Sequence, residues 1–226
     1  MPIRVAVLLS GTGRSLENLL CRCGDGRLDA RVVRVIASKE CLGAEKARAA
    51  GVPTAVMTGT IAAAALEADV AAHGAELVVL AGYLKLLPIP ESLRGRVVNI
   101  HPSLLPAFGG PGMHGHKVHE AVLARGCKVS GCTVHFCDDR YDTGPIIVQR
   151  TCAVLESESP ETLAARVFEQ ECEALPEAIG LIGAGRVTID GLRTRIAPAA
   201  PAAPAPPAPP TPPTPLRHGR LDERGA

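Results

Sequence analysis

The run Ile3-Arg4-Val5-Ala6-Val7-Leu8-Leu9 constrains the fold of this chain more than any other feature. It is apolar at nearly every position instead of every second one, so a strand made from it must be buried on both faces. Similar strand-like runs follow at Val32–Ala37, Val52–Met57, Glu76–Leu80 and Val97–Ile100. Between the first four lie helix-like stretches: Ser15–Cys23, with Leu16, Leu19 and Leu20 on one side, then Ala44–Ala50 and the Ala-rich Ile61–Ala72. Beyond a Gly/Pro-rich loop, Pro106–Gly112, the spacing predicts a helix over Lys117–Ala124 and strands over Val129–Phe136 and Ile146–Arg150. A long helix should open at Ser159-Pro160, a cap followed by a first-turn proline, and face the sheet with Leu163, Val167 and Leu175. Arg186–Ile189 could add a last short strand. This alternation predicts an α/β chain with a mostly parallel central sheet, flanked by helices on both faces. In such sheets a ligand sits outside the carboxyl ends of the strands.

Ten prolines fall between Pro198 and Pro215, in a Pro/Ala/Thr tract that cannot bury a core. We therefore read residues 1–197 as one domain and 198–226 as an extended Pro/Ala-rich disordered tail. Without that tail, basic and acidic residues are equal in number, and the whole chain carries a net charge of only +1. So small a charge argues against a nucleic-acid partner or an anionic membrane surface. Aromatics at 2% and the lack of Trp argue against a base-stacking platform as well. No apolar run approaches the roughly 18 residues of a membrane span. Val5–Leu9 is too short for the apolar stretch of a secretory signal, so the reading is cytoplasmic. There the eight cysteines are expected to be reduced, acting as small buried hydrophobes, since their spacings form no zinc pattern.

Three segments carry chemistry. Ser10-Gly11-Thr12-Gly13-Arg14-Ser15 joins the first strand to the first helix, where glycines and a helix N-terminus can receive an anion. It lacks the third glycine of a dinucleotide fingerprint and the Gly-Lys-Ser/Thr of a P-loop, so a monophosphate and a plain tight turn both stay open. In Asn99-Ile100-His101-Pro102 the amide and the imidazole leave one face of a strand at its carboxyl end. That pair suits a developing oxyanion and a proton transfer, or else merely closes a strand. Asp138-Asp139-Arg140-Tyr141-Asp142 offers a carboxylate that could orient the imidazole, or a solvated turn. His114, His116 and His119 are spaced loosely enough that no metal is expected of them.

Asn99-Ile100-His101-Pro102-Ser103-Leu104-Leu105-Pro106, followed by Asp142-x-Gly144-Pro145-Ile146, resembles the signature of the formyltransferases that use 10-formyltetrahydrofolate. The turn at Ser10–Gly13, Val78–Tyr83 and Gly131–Phe136 resemble the branch that acts on glycinamide ribonucleotide in purine synthesis. The resemblance runs from about residue 3 to 190. It implies a Rossmann-like formyltransferase fold, with Asn99, His101 and Asp142 as catalytic triad and His101 kept charged near neutral pH by Asp142. Gly13, Arg14 and Ser15 would hold the substrate phosphate, and Glu171 its ribose. Leu84, Lys85, Leu86, Leu87 and Asn99 would line the folate pocket, and Asp139–Gly144 would close over the pterin. The co-substrate would be 10-formyltetrahydrofolate, with no metal, and a homodimer is compatible with the resemblance.

Ser15 replaces the usual Asn of the phosphate turn, and the loop before His119, Phe108–Met113, is longer than in the commonest members. An Arg that the family uses near the folate tail has no counterpart in the compact segment before Glu76. Formyltetrahydrofolate hydrolase, which would act without an amine, and a non-catalytic phosphosugar- or folate-binding module remain the alternatives. A tRNA-directed formyltransferase is disfavoured by the neutral body and by the Pro/Ala tail where a nucleic-acid-binding domain would stand.

Overall fold

The computed structural model describes residues 1–198. Its strands are β1 (Ile3–Leu9), β2 (Ala30–Ala37), β3 (Thr54–Val56), β4 (Leu77–Leu80), β5 (Val97–His101), β6 (Val129–Phe136) and β7 (Ile146–Ala153). They form one sheet in the order β3-β2-β1-β4-β5-β6-β7. The first five pair in parallel, and β6 and β7 are added antiparallel at one edge. The expected tail lies, from residue 199 on, outside the described residues.

Alternate residues of β1 feed two different cores, as a strand buried on both faces requires. Val5, Val7 and Leu9 join a core with α1 (Arg14–Gly24), α2 (Leu42–Ala49), α4 (His116–Ala124) and α5 (Pro160–Gly183). Ala6 and Leu8 join a smaller core with α3 (Ala63–Ala72) and the irregular segment from Tyr83 to Leu93. Leu163, Val167 and Leu175 are at most 1% exposed, so α5 lays the anticipated face on the sheet. Its start is a full capping box, in which Ser159 and Thr162 satisfy each other's backbone N–H groups.

Two expectations change. The short strand near Arg186–Ile189 is one arm of a separate hairpin, β8 (Val187–Asp190) with β9 (Arg193–Ile196), reversed at Gly191-Leu192. Gly191, with φ 61° at the first of the two turn positions, is the local signal for that turn. The cysteines are free, but only Cys132 is buried; Cys21 is exposed and the other six are partly buried. Most of them sit at the margins of packed faces, where a thiol touches the core with one side only.

The strand order positions the site. From β1 the chain moves outward through β2 and β3, then returns to place β4 on the other side of β1. The connections leaving β1 and β4 therefore diverge and open a crevice at their carboxyl ends. Its floor is tied together by Ser10, whose N–H donates to the Gly82 carbonyl and whose hydroxyl accepts from Leu84 N–H.

At the β1–α1 turn, Gly13 adopts a left-handed backbone (φ 72°), and a Cβ there would come within 2.6 Å of the Gly43 Cα. Both demands fall on one residue, so we expect Gly13→Ala to lower the unfolding free energy by about 2 kcal/mol or more in urea denaturation. A variant as stable as the parent would show that the α1–α2 contact is not as tight as described.

Candidate active site

A cavity of about 460 Å³ occupies the crevice. Its walls include Arg14 and Ser15 from the first turn of α1, Leu84–Leu87 beyond β4, Asn99 and His101 from β5, and Asp142 from the loop between β6 and β7. Glu171 and Phe168 reach it from α5. Of the residues expected to hold the substrates or react with them, all but Gly13 line this cavity; Gly13 lies buried against Gly43, and of the Asp139–Gly144 loop only Arg140, Tyr141 and Asp142 reach the wall.

The Asp142 carboxylate is 8% exposed and sits between the His101 and His135 rings. Its Oδ2 accepts from Gly110 N–H at 2.8 Å and lies 3.5 Å from His101 Nδ1. Its Oδ1 lies 3.4 Å from Asn99 Nδ2 and 3.6 Å from His135 Nε2. The loop delivers this side chain from a left-handed backbone (φ 57°), a conformation that Asp tolerates better than most residues. Its two acidic neighbours do other work: Asp138 accepts from the Thr143 hydroxyl, and Asp139 pairs with Arg94 at 3.1 Å. Both readings of the acidic loop therefore hold, for different aspartates.

His135 is the member that the motif reading did not single out. Antiparallel pairing sets it directly opposite Asn99, with both side chains on one face of the sheet. His135 Nδ1–H donates to the Phe136 carbonyl, which leaves Nε2 as acceptor for Asn99 Nδ2 at 3.2 Å. No local pattern encodes this neighbour; it follows from the β5–β6 register.

Burial opposes the Asp142 charge, but the His135 ring, the His101 ring and the Gly110 N–H outweigh it and hold the carboxyl below its ordinary pKa. His101 runs the other way. It is 4% exposed, and burial depresses its pKa even though Asp142 and the Phe108 carbonyl favour the charged form. The expectation of an imidazolium near neutral pH is therefore corrected, because desolvation in the free site exceeds the pull of the carboxylate. His101 Nε2–H donates to the Phe108 carbonyl at 2.9 Å, so Nδ1 presents its lone pair towards Asp142.

At one end of the cavity Glu171 is pushed up to about 7 by burial, against the opposing influence of Arg14. Elsewhere on its walls are two half-exposed leucines, Leu84 and Leu86, with Leu87 buried beside them. Lys85 Nζ donates to the Gly59 carbonyl at 2.7 Å. Arg14, Lys85 and Arg140 all line the cavity, and none has a carboxylate within 4.0 Å among the described residues. Also among these residues, no cluster of three His, Cys, Asp or Glu side chains is arranged to hold a metal ion. No described helix is long and apolar enough to cross a membrane.

Residues 3–179 match the family model described as formyl transferase. The chain is 39% identical over 194 residues to a chloroplastic phosphoribosylglycinamide formyltransferase of Arabidopsis thaliana, covering 81% of this chain and 66% of that one. It therefore spans just under two thirds of that plant relative. A phosphoribosylglycinamide formyltransferase of Mycobacterium tuberculosis is 42% identical over 201 residues, covering 84% of this chain and 89% of the relative. The crystal structure of glycinamide ribonucleotide transformylase 1 from Symbiobacterium toebii aligns with a TM-score of 0.79 at 41% identity, covering 86% and 94% of the two chains.

His119, on the cavity wall and 4% exposed, has its pKa lowered to about 4 by burial, with the charges of His116 and His101 adding to the effect. A histidine depressed in the folded state stabilises fully above its unfolded pKa of about 6.5, and that stability is lost as pH falls towards 4. Relative to His119→Gln, we expect the parent to lose about 2 kcal/mol of unfolding free energy between pH 7 and pH 5. Parallel pH profiles for the two proteins in urea denaturation would contradict the buried, neutral imidazole.

Proposed function

Because the chain belongs to the formyl transferase family, we propose that it moves the formyl group of 10-formyltetrahydrofolate onto the amine of glycinamide ribonucleotide, a step of purine synthesis. The observation that carries this reading is the meeting of Asn99, His101 and Asp142, from two separate stretches of chain, within 3.4–3.5 Å on the wall of one cavity. Both relatives above bear the corresponding name. Residues 1–197 would form the catalytic unit, and the eight free thiols are compatible with a reducing cytoplasm.

The cavity suits two substrates of different character. Ser15 and the Arg14 fork, at the N-terminus of α1, offer donors for a phosphate, with Glu171 nearby for ribose hydroxyls. Leu84, Leu86 and Leu87 offer an apolar wall for a flat pterin, with the cations of Lys85 and Arg140 on the same cavity for the carboxylates of a folate tail. The reacting atoms then meet at Asn99 and His101.

The substrate amine attacks the formyl carbon, and the carbonyl oxygen becomes an oxyanion. Asn99 Nδ2 has two hydrogens: His135 holds one at 3.2 Å, and the second, only loosely shared with Asp142 at 3.4 Å, is free to turn to that oxygen. The attacking nitrogen must lose a proton. A neutral His101 can take it at Nε2 once that edge leaves the Phe108 carbonyl and the ring carries its own proton on Nδ1, where the Asp142 carboxylate at 3.5 Å stabilises the imidazolium that forms. Collapse of the tetrahedral intermediate breaks the bond from carbon to the folate nitrogen, which takes the proton back from the His101 imidazolium as tetrahydrofolate leaves.

The test follows folate absorbance with both substrates present. Losing one oxyanion donor typically costs roughly 2.7–4 kcal/mol of barrier, so Asn99→Ala and His101→Ala should each reduce turnover by about a hundredfold or more while circular dichroism stays unchanged. Near-normal turnover in either variant would overturn the assignment. Formate released without the amine would indicate the hydrolase instead, and no reaction at all a binding module.

A further inference from the structure

Arg14 and Glu171 share a wall of the cavity, and the carboxyl senses the cation, yet no oxygen of Glu171 lies within 4.0 Å of the guanidinium. The guanidinium is instead stacked over the ring of Phe168, its central carbon 3.7 Å from the ring centroid. Phe168 and Glu171 stand three apart on α5, so they are neighbours on one face of that helix and offer Arg14 two competing partners. The choice has a chemical consequence. Pairing with a carboxylate would consume the edge donors and neutralise the charge. Stacking holds the plane by its face, keeps the charge and leaves the five N–H groups of the edge free. Among the described residues the Arg14 guanidinium has no hydrogen-bond or ion-pair partner, so its N–H edge is presented to the cavity.

We propose that Phe168 is a positioning residue: its ring holds the Arg14 guanidinium flat so that the fork grips the phosphate of a sugar-phosphate substrate. This deepens the phosphate end of the function proposed above and takes the identity of the substrate from it. The geometry itself does not depend on formyl transfer. A planar fork pre-aligned in this way matches two phosphate oxygens at once, which a lysine or a freely rotating arginine does less well.

Calorimetric binding of ribose 5-phosphate to the full chain tests the proposal. Phe168→Leu keeps the apolar packing but removes the ring, and should weaken binding roughly threefold to tenfold. Phe168→Tyr should bind like the parent. In an Arg14→Ala background, Phe168→Leu should add nothing. In formyl-transfer assays Phe168→Leu should raise KM for the phosphorylated amine by the same factor while kcat moves less than twofold. Unchanged affinity in Phe168→Leu, an equal loss in the Arg14→Ala background, or no measurable binding by the parent protein would each overturn the proposal. If Phe168→Leu does not fold, Arg14→Lys replaces it: charge without a planar fork should lose affinity as Arg14→Ala does, and full retention overturns the proposal. Binding that depends on Arg14 and Phe168 in a protein without formyl-transfer activity would sink the function above and leave this inference standing.

Discussion

A carboxylate taken out of water must find donors or give up its charge, and at Asp142 that requirement joins four separate stretches of chain. Asn99 of β5 and the Gly110 N–H of the loop after β5 supply the donors, the rings of His101 on β5 and His135 on β6 close round the same carboxyl at 3.5 and 3.6 Å, and the β6–β7 loop contributes the carboxylate itself. Each of these groups is oriented by the others. Asn99 takes its direction from His135 and Asp142, His135 its tautomer from the Phe136 carbonyl, and His101 its ring plane from Asp142 and the Phe108 carbonyl.

The sheet supplies the frame on which that network can exist. Parallel strands buried on both faces leave only their ends accessible, and the return of the chain to the other side of β1 fixes which ends part to form a crevice. A depressed His101 fits this setting. The free site keeps the imidazole neutral by excluding water, while the Asp142 carboxylate stands ready for the charge that appears when a proton is taken up. Burial and the neighbouring carboxylate act in opposite directions on one ring, and burial prevails until a proton is delivered.

Much of this was legible in the residues. The unbroken apolar run Ile3–Leu9 and the alternation that follows it carry the architecture, and Ser159-Pro160 marks the start of α5 to the residue. The Asn99-x-His101 spacing places two polar groups on one strand face at its carboxyl end, where the cavity lies. What a linear reading misses is register and burial. His135 becomes part of the site because β6 runs antiparallel to β5 and pairs with Asn99, which no periodicity within β6 records. The protonation state of His101 depends on how completely the 108–110 loop covers it, and the hairpin at Val187–Ile196 needed the pairing of two short, polar-rich strands. The stacking of Arg14 on Phe168 joins residues 154 positions apart and is a property of the packed α1 and α5 alone.

The central claim is that one cavity seats a phosphate at the α1 end and reacting atoms at the Asn99–His101 end. A crystal structure with glycinamide ribonucleotide and a non-transferring folate analogue tests it most directly. The account predicts the phosphate against Arg14 and Ser15, and the substrate amine within hydrogen-bonding reach of His101. A phosphate bound elsewhere, or an amine remote from both His101 and Asn99, would contradict it.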